Sequence, residues 1–192
     1  MLGSILKSCK HWATSRNKTA WVTHLLVLTS TIVFYLGYHP LFGWPTLNTE
    51  TWYTLITHLF SHGSSNHLFG NMMFLMLTGP YVEAQVGKLR TLILYLGCGI
   101  GASMLFSYTN PYELSLGASG AIAGFMAVYI IKQRSMLGFC MAFMFIGSLF
   151  ERDLYLVIHP ELAGGVANLA HLGGAVTGIL MITWYKIWQP FK

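Results

Sequence analysis

Residues 117–132 read Gly-Ala-Ser-Gly-Ala-Ile-Ala-Gly-Phe-Met-Ala-Val-Tyr-Ile-Ile-Lys, and this segment guides the interpretation of the whole chain. Its apolar part from Ser119 to Ile131 has only 13 residues, whereas a helix needs about 20 to cross a hydrocarbon core about 30 Å thick. The connector before it, 109–118, is therefore predicted to enter the membrane as non-helical backbone. Such backbone is tolerated at depth only where protein buries it or where it lines a water-filled cavity.

The composition indicates that this segment belongs to a membrane protein. The chain has 192 residues, of which 54% are hydrophobic and 9% are charged, whereas about 25% of the residues of soluble domains are charged. The formal net charge of +5 comes from basic residues spread along the chain, so nucleic acid is not an expected partner. The three cysteines show neither a disulfide nor a metal-binding spacing: Cys9, Cys98 and Cys140.

Hydropathy predicts an all-α polytopic membrane protein with six transmembrane helices. The spans are placed at about 20–38, 67–87, 89–108, 119–131, 135–150 and 166–187. The segment 39–66 between the first two spans is rich in aromatic residues and proline, so it is predicted to be a partly inserted first loop. The predicted organisation is a basic cytoplasmic leader at 1–19, a six-helix core at 20–188 and a cytoplasmic tail at 189–192.

The distribution of basic residues supports this topology and orients it. With six spans, ten of the eleven Lys and Arg residues lie on one side: Lys7, Lys10, Arg16, Lys18, Lys88, Arg90, Lys132, Arg134, Lys186 and Lys192. Only Arg152 lies on the other side. The positive-inside rule then places both termini in the cytoplasm. A five-span alternative, in which 135–150 is merely buried, breaks this pattern at the C-terminus.

A histidine is expected at nearly the same depth as Ser119. His171 precedes Lys186 by 15 residues, and Ser119 precedes Lys132 by 13. At the rise of an α-helix the two side chains lie about 22 Å and about 20 Å from the inner boundary. Ser119 is therefore the candidate nucleophile and His171 the candidate general base. The only aspartate, Asp153, lies in the polar outer loop, so a dyad is favoured over a triad.

Two further polar residues and several glycines belong to the same prediction. His67 and Asn71 are spaced i, i+4 and share one face of the second span. Polar side chains are costly inside a membrane, and both of these can donate hydrogen bonds to a developing oxyanion. Small residues let helices approach closely, and the glycines predicted to serve helix packing are Gly117, Gly120, Gly174 and Gly178.

Together these residues resemble the rhomboid family of intramembrane serine proteases. The matches are Gly117-Ala118-Ser119-Gly120 to the nucleophile motif, Ala170-His171 with Gly174 and Gly178 to the histidine motif, His67-x-x-x-Asn71 to the oxyanion pair, and Gly79, Glu83 and Gly87 to a further family pattern. Two positions depart from the family. Tyr53 follows Trp52 where Trp-Arg is frequent, and Ala123 stands where some bacterial members have an aromatic residue.

The resemblance implies a serine endopeptidase that cleaves single-span membrane proteins near the outer membrane face, with no metal and no cofactor. Substrates are expected to be transmembrane proteins with helix-weakening segments, because an intact helix shields its carbonyl groups. The expected location is the plasma (inner) membrane of a bacterium, with the active site opening to the outer side. His67 and Asn71 are expected to help hold the oxyanion.

Other interpretations stay open at this point. A catalytically inactive rhomboid-like protein binds membrane helices without cutting them, but such relatives usually lack the serine or the histidine. A small transporter predicts internal repeats, and the halves 1–96 and 97–192 show no such symmetry. His58, His62 and His67 suggest a metal site, yet no carboxylate lies near them in the sequence, so an interfacial or loop-bracing role is favoured. Glu83 is predicted to brace a helix end.

Overall fold

The structure is a computed structural model that describes residues 20–41, 43, 48–133, 140 and 168–187. The predicted leader, the tail, Asp153 and, apart from residue 140, the predicted fifth span lie outside the described residues. The domain boundaries and the six-span count therefore stay predictions.

Helices account for most of the described chain. We number them α1 (Trp21–Tyr35), α2 (Thr54–Thr57, continued by a 3-10 turn at His58–Phe60), α3 (Ser65–Val86), α4 (Lys88–Thr109), α5 (Ser119–Gln133) and α6 (Asn168–Ile187). The long helices agree within three residues at each end with the first, second, third, fourth and sixth predicted spans. Among the described residues, α4 alone is both long and apolar enough to cross a membrane, while shorter apolar stretches lie within α1, α5 and α6.

Two local features set the limits of α3. The hydroxyl of Ser64 accepts a hydrogen bond from the backbone N–H of His67 at 3.2 Å and so caps the start of the helix. Gly87 separates α3 from α4 with a φ of +85°, a conformation that residues with a Cβ rarely adopt. The chain therefore ends α3 and begins α4 at this single residue.

The short helix α5 lies at the centre, in contact with α3, α4 and α6. Its side chains from Ala121 to Met126 are all buried. Tyr129 near its end packs edge-on against Tyr81 of α3, with ring centroids 4.9 Å apart. A helix that is apolar and buried on nearly all sides is the expected central element of a bundle.

Glycines set the distance between α5 and its neighbour α6. A Cβ placed on Gly178 would lie 2.7 Å from the carbonyl oxygen of Gly124, and a Cβ on Gly174 would collide with the backbone of Gly120. Both contacts advance by four residues along each helix, so the two helices run parallel. This close approach places Ser119 at the start of α5 beside the first turns of α6.

Glu83 joins the other end of α3 to α1. Its carboxylate accepts hydrogen bonds from the backbone N–H groups of Val22 and Thr23, at 3.2 and 2.9 Å, and from the Thr23 hydroxyl at 2.9 Å. The first N–H groups of a helix have no partner within the helix, and a negative charge there is favourable. The predicted role of Glu83 as a helix-end brace is confirmed.

Candidate active site

Ser119 is the first residue of α5, directly after a non-helical connector. Gly117 in that connector has a φ of +111°, and its N–H donates to the carbonyl oxygen of His58 at 2.9 Å. Gly117 and Ala118 are both buried. The prediction of buried, non-helical backbone before the short helix is confirmed by this geometry.

Gly117 brings the connector against the polar pair of α3. A Cβ on Gly117 would lie 2.8 Å from Cε1 and 3.1 Å from Nε2 of His67, and 3.7 Å from Nδ2 of Asn71. Gly117 was predicted to serve helix packing. It precedes α5, and the atoms nearest to a Cβ at this position belong to the His67 and Asn71 side chains of α3.

The register of α5 and α6 brings Ser119 to the level of His171. A Cβ on Gly120 would lie 3.7 Å from the carbonyl oxygen of Ala170, and Gly174 packs on the backbone of Gly120. Ser119 is therefore level with the helical turn 170–173, which contains His171. Both side chains are half-buried, so each remains accessible from one side.

Not all of the buried polar groups beside Ser119 have hydrogen-bond partners. The Nδ2 group of Asn71 is buried and has no hydrogen-bond partner. The same is true of Nε2 of His62, whose ring packs edge-on against the ring of His67 with centroids 5.1 Å apart. Burial lowers the pKa of His62 to about 4, with a smaller contribution from the neighbouring His67. The loop histidine is therefore neutral at pH 7.

His58 braces the loop beneath the connector. Its Nδ1 lies 2.6 Å from the carbonyl oxygen of Thr54, which can only accept, so Nδ1 carries the proton. Its Nε2 then accepts from the Ser103 hydroxyl of α4, also at 2.6 Å. Burial lowers the pKa of His58 to about 4. The predicted loop-bracing role is confirmed for His58.

The described residues contain no group of three or more His, Cys, Asp or Glu side chains that could hold a metal ion.

Comparison with known proteins assigns the family. The rhomboid domain model matches residues 49–188, which include every candidate site residue. The chain belongs to the rhomboid family. It is accordingly an all-α integral membrane protein.

Several rhomboid relatives align over most of this chain. It is 31% identical over 134 residues to the putative rhomboid protease YdcA of Bacillus subtilis (strain 168), covering 68% of this chain and 65% of that protein. It is 30% identical over 169 residues to the rhomboid protease AarA of Providencia stuartii, covering 75% and 59%. It is 29% identical over 151 residues to the chloroplastic rhomboid-like protein 11 of Arabidopsis thaliana, covering 70% and 53%. The alignments thus span about half to two thirds of these relatives.

Two contacts of this rhomboid were not anticipated from its sequence. The hydrogen bond between His58 and Ser103 joins positions 45 residues apart, and no local sequence pattern predicts it. The contact between His62 and His67 had a weak signal in the sequence, because the two residues are only five positions apart and a bend at Gly63 and Ser64 separates them. Both contacts depend on how the first loop packs against the helices.

Proposed function

We propose that this rhomboid is an intramembrane serine endopeptidase that uses Ser119 and His171 as a catalytic dyad. The observation that carries the proposal is the packing of α5 on α6, in which Gly120 lies against Gly174 and Ser119 is level with the turn that contains His171. A serine that can pass its proton to an adjacent histidine is an activated nucleophile. The membership of the chain in the rhomboid family supports the same assignment.

In the proposed reaction, the Ser119 Oγ forms a bond to the scissile carbonyl carbon while His171 takes the hydroxyl proton. The tetrahedral intermediate collapses, the peptide C–N bond breaks, and His171 returns the proton to the leaving amine. A water molecule then hydrolyses the acyl-enzyme with His171 again acting as the base. This sequence conserves protons and regenerates the free serine.

The oxyanion is proposed to be held by Asn71, His67 and the backbone N–H of Ser119. The buried Nδ2 group of Asn71, which has no partner, supports this role because it is a donor with no other use in the fold. The first N–H groups of α5 point out of the helix start, where the helix dipole favours negative charge. Donors arranged before the reaction stabilise the developing charge without reorganisation.

The proposed substrates are single-span membrane proteins whose helices contain weakening residues near the cleavage site. The scissile carbonyl must leave its helical hydrogen bond before Ser119 can reach it, and glycine or proline lowers the cost of that opening. The excess of basic residues on one side supports an orientation with cytoplasmic termini and a site that opens to the outer side. We propose the plasma membrane of a bacterium as the location.

The test compares the wild type with Ser119→Ala and His171→Ala in liposomes that contain a labelled single-span substrate with a glycine-rich juxtamembrane segment. Each substitution is expected to lower cleavage at least about 10³-fold, since removal of a nucleophile or base leaves only residual catalysis. Ser65→Ala, at an exposed serine of α3, is the matched control and should cleave at the wild-type rate.

Fluorophosphonate labelling provides a readout that does not depend on the choice of substrate. The wild type and Ser65→Ala should be labelled at Ser119, whereas Ser119→Ala should not. Folded wild-type protein that neither cleaves the substrate nor reacts with the probe would contradict the proposal. That result would favour a rhomboid-like protein that binds membrane helices without cutting them.

A further inference from the structure

A cavity lies at the end of the bundle opposite to Ser119. It is an apolar groove of about 360 Å³ between the start of α4 and the end of α6. Ile93 and Met181 form part of its walls, and Arg90, Trp184 and Tyr185 surround its mouth. The groove is separate from the candidate active site, because α4 runs antiparallel to α5 and begins where α5 ends.

The cation at the mouth of the groove is held in place by an aromatic ring. The guanidinium carbon of Arg90 lies 4.3 Å from the centroid of the Tyr185 ring. Its Nη1 donates to the Tyr185 hydroxyl at 2.8 Å and reaches the carbonyl oxygen of Val86 at 3.4 Å. A guanidinium has five N–H donors, and in the described part of the chain no carboxylate pairs with it. Donors therefore remain for an anion at the mouth.

The position of this mouth matches a membrane–water interface. Arg90 lies in the first turn of α4 and Tyr185 in the last turn of α6. Trp184 is 65% exposed beside them. Tryptophan and tyrosine concentrate where headgroups meet hydrocarbon, and basic residues concentrate on the cytoplasmic side. The groove then extends from the interface towards the hydrocarbon along Ile93 and Met181.

We infer that this groove binds one anionic phospholipid of the cytoplasmic leaflet, with the phosphate on Arg90 and part of an acyl chain between α4 and α6. Charge complementarity favours this occupant, since Arg90 is the one cation among the described residues that line the groove and the other walls are apolar. Arginine binds phosphate through paired N–H donors. The volume lies near the lower limit for small-molecule sites, which suits one lipid chain better than a second helix.

The test measures binding of phosphatidylglycerol and of phosphatidylcholine with identical acyl chains to the purified full chain, by native mass spectrometry and by the shift in thermal unfolding temperature. We expect saturable binding of one phosphatidylglycerol that phosphatidylcholine does not match at the same concentration. Arg90→Gln should weaken this binding at least fivefold. Ile93→Trp, which fills the wall of the groove, should weaken it without a change in charge.

The matched control is Lys132→Gln, which removes one positive charge at the end of α5 outside the groove. It should change phosphatidylglycerol binding by less than twofold. Equal losses in Lys132→Gln and Arg90→Gln would overturn the inference, because they would indicate a general surface charge effect. Two other results would also overturn the inference. One is displacement of the bound lipid by inorganic phosphate alone. The other is equal binding of the two lipids, which would indicate that protein segments fill the groove.

Discussion

Glu83 and Asn71 are both buried polar side chains of α3, yet the fold treats them in opposite ways. Glu83 accepts three hydrogen bonds from the start of α1. Asn71, three turns earlier on the same helix, has an amide nitrogen with no partner. The two residues lie 12 positions apart, or about 18 Å along the helix axis.

An unpaired buried donor costs about 1–3 kcal/mol, so a fold gains nothing in stability by keeping one. Asn71 lies beside Gly117, where the proposed oxyanion would form. The difference shows that one end of α3 serves stability, while the unsatisfied group at the other end supports its proposed role in the chemistry. Substitutions at the two ends should therefore separate effects on unfolding from effects on catalysis.

The largest effect is expected at the contact on which the site depends. Gly174→Leu places a side chain into the backbone of Gly120, which cannot move aside as a flexible side chain could. Overpacking costs about 1–3 kcal/mol and more where the backbone must shift, so we expect loss of cleavage together with a marked fall in the thermal unfolding temperature. Gly70→Ala is the control, because a Cβ there meets nothing within 4 Å. Wild-type stability and activity in Gly174→Leu would show that the helices need not approach this closely.

Asn71→Ala tests the catalytic end of α3. Loss of one oxyanion donor lowers kcat by about 10²–10³-fold, while the free energy of unfolding should stay constant or rise, because an unsatisfied buried amide is removed. The control is Asn66→Ala at an exposed position in the first turn of the same helix. Kinetics in liposomes and thermal unfolding in detergent provide the two readouts. A destabilised Asn71→Ala protein with normal kcat would reverse the comparison.

Glu83→Gln tests the structural end. The substitution keeps the shape but replaces charge-assisted hydrogen bonds, each of which contributes about 1.5–3 kcal/mol, so we expect a loss of about 2 kcal/mol in unfolding free energy. The kcat of the folded fraction should remain within twofold of the wild type. Glu50→Gln, at an exposed loop carboxylate, should change neither quantity. A large fall in kcat at unchanged stability would assign Glu83 to the chemistry instead.

The comparison also shows which parts of this molecule were predictable. The helix limits follow from apolar runs and local signals such as the Gly87 break, and α5 begins at Ser119 as predicted. The brace at Glu83 was predictable because a buried carboxylate near a helix end has few other uses. These features depend on residues close together in sequence or on bulk hydropathy.

The geometry around Gly117 was not predictable in the same way. Its positive φ and its contact with His67 depend on how the connector, α3 and the first loop meet in space. The bond between His58 and Ser103 and the stacking of Arg90 on Tyr185 likewise join distant segments. Hydropathy carries no information about such contacts, since it counts apolar residues and not their neighbours.

The smallest expected effect is a pH dependence that arises in the first loop. His58 and His62 have pKa values lowered by burial to about 4, whereas an unfolded histidine titrates near 6.5. The unfolded state therefore binds protons first as the pH falls. The stability that these neutral rings provide is complete above pH 6.5 and is lost progressively between pH 6.5 and 4.

Each histidine should contribute a loss of about 1 kcal/mol between pH 7 and pH 5.5. Thermal unfolding across this range measures the slope, and His58→Gln should reduce it, because one histidine with a lowered pKa no longer takes up a proton. Asn66→Ala, at an exposed position that carries no titratable group, is the control and should keep the wild-type slope. Identical slopes of unfolding temperature against pH in all three proteins would contradict the prediction. They would mean that the first loop opens and takes up protons without global unfolding, so that its histidines do not hold the connector beneath Ser119.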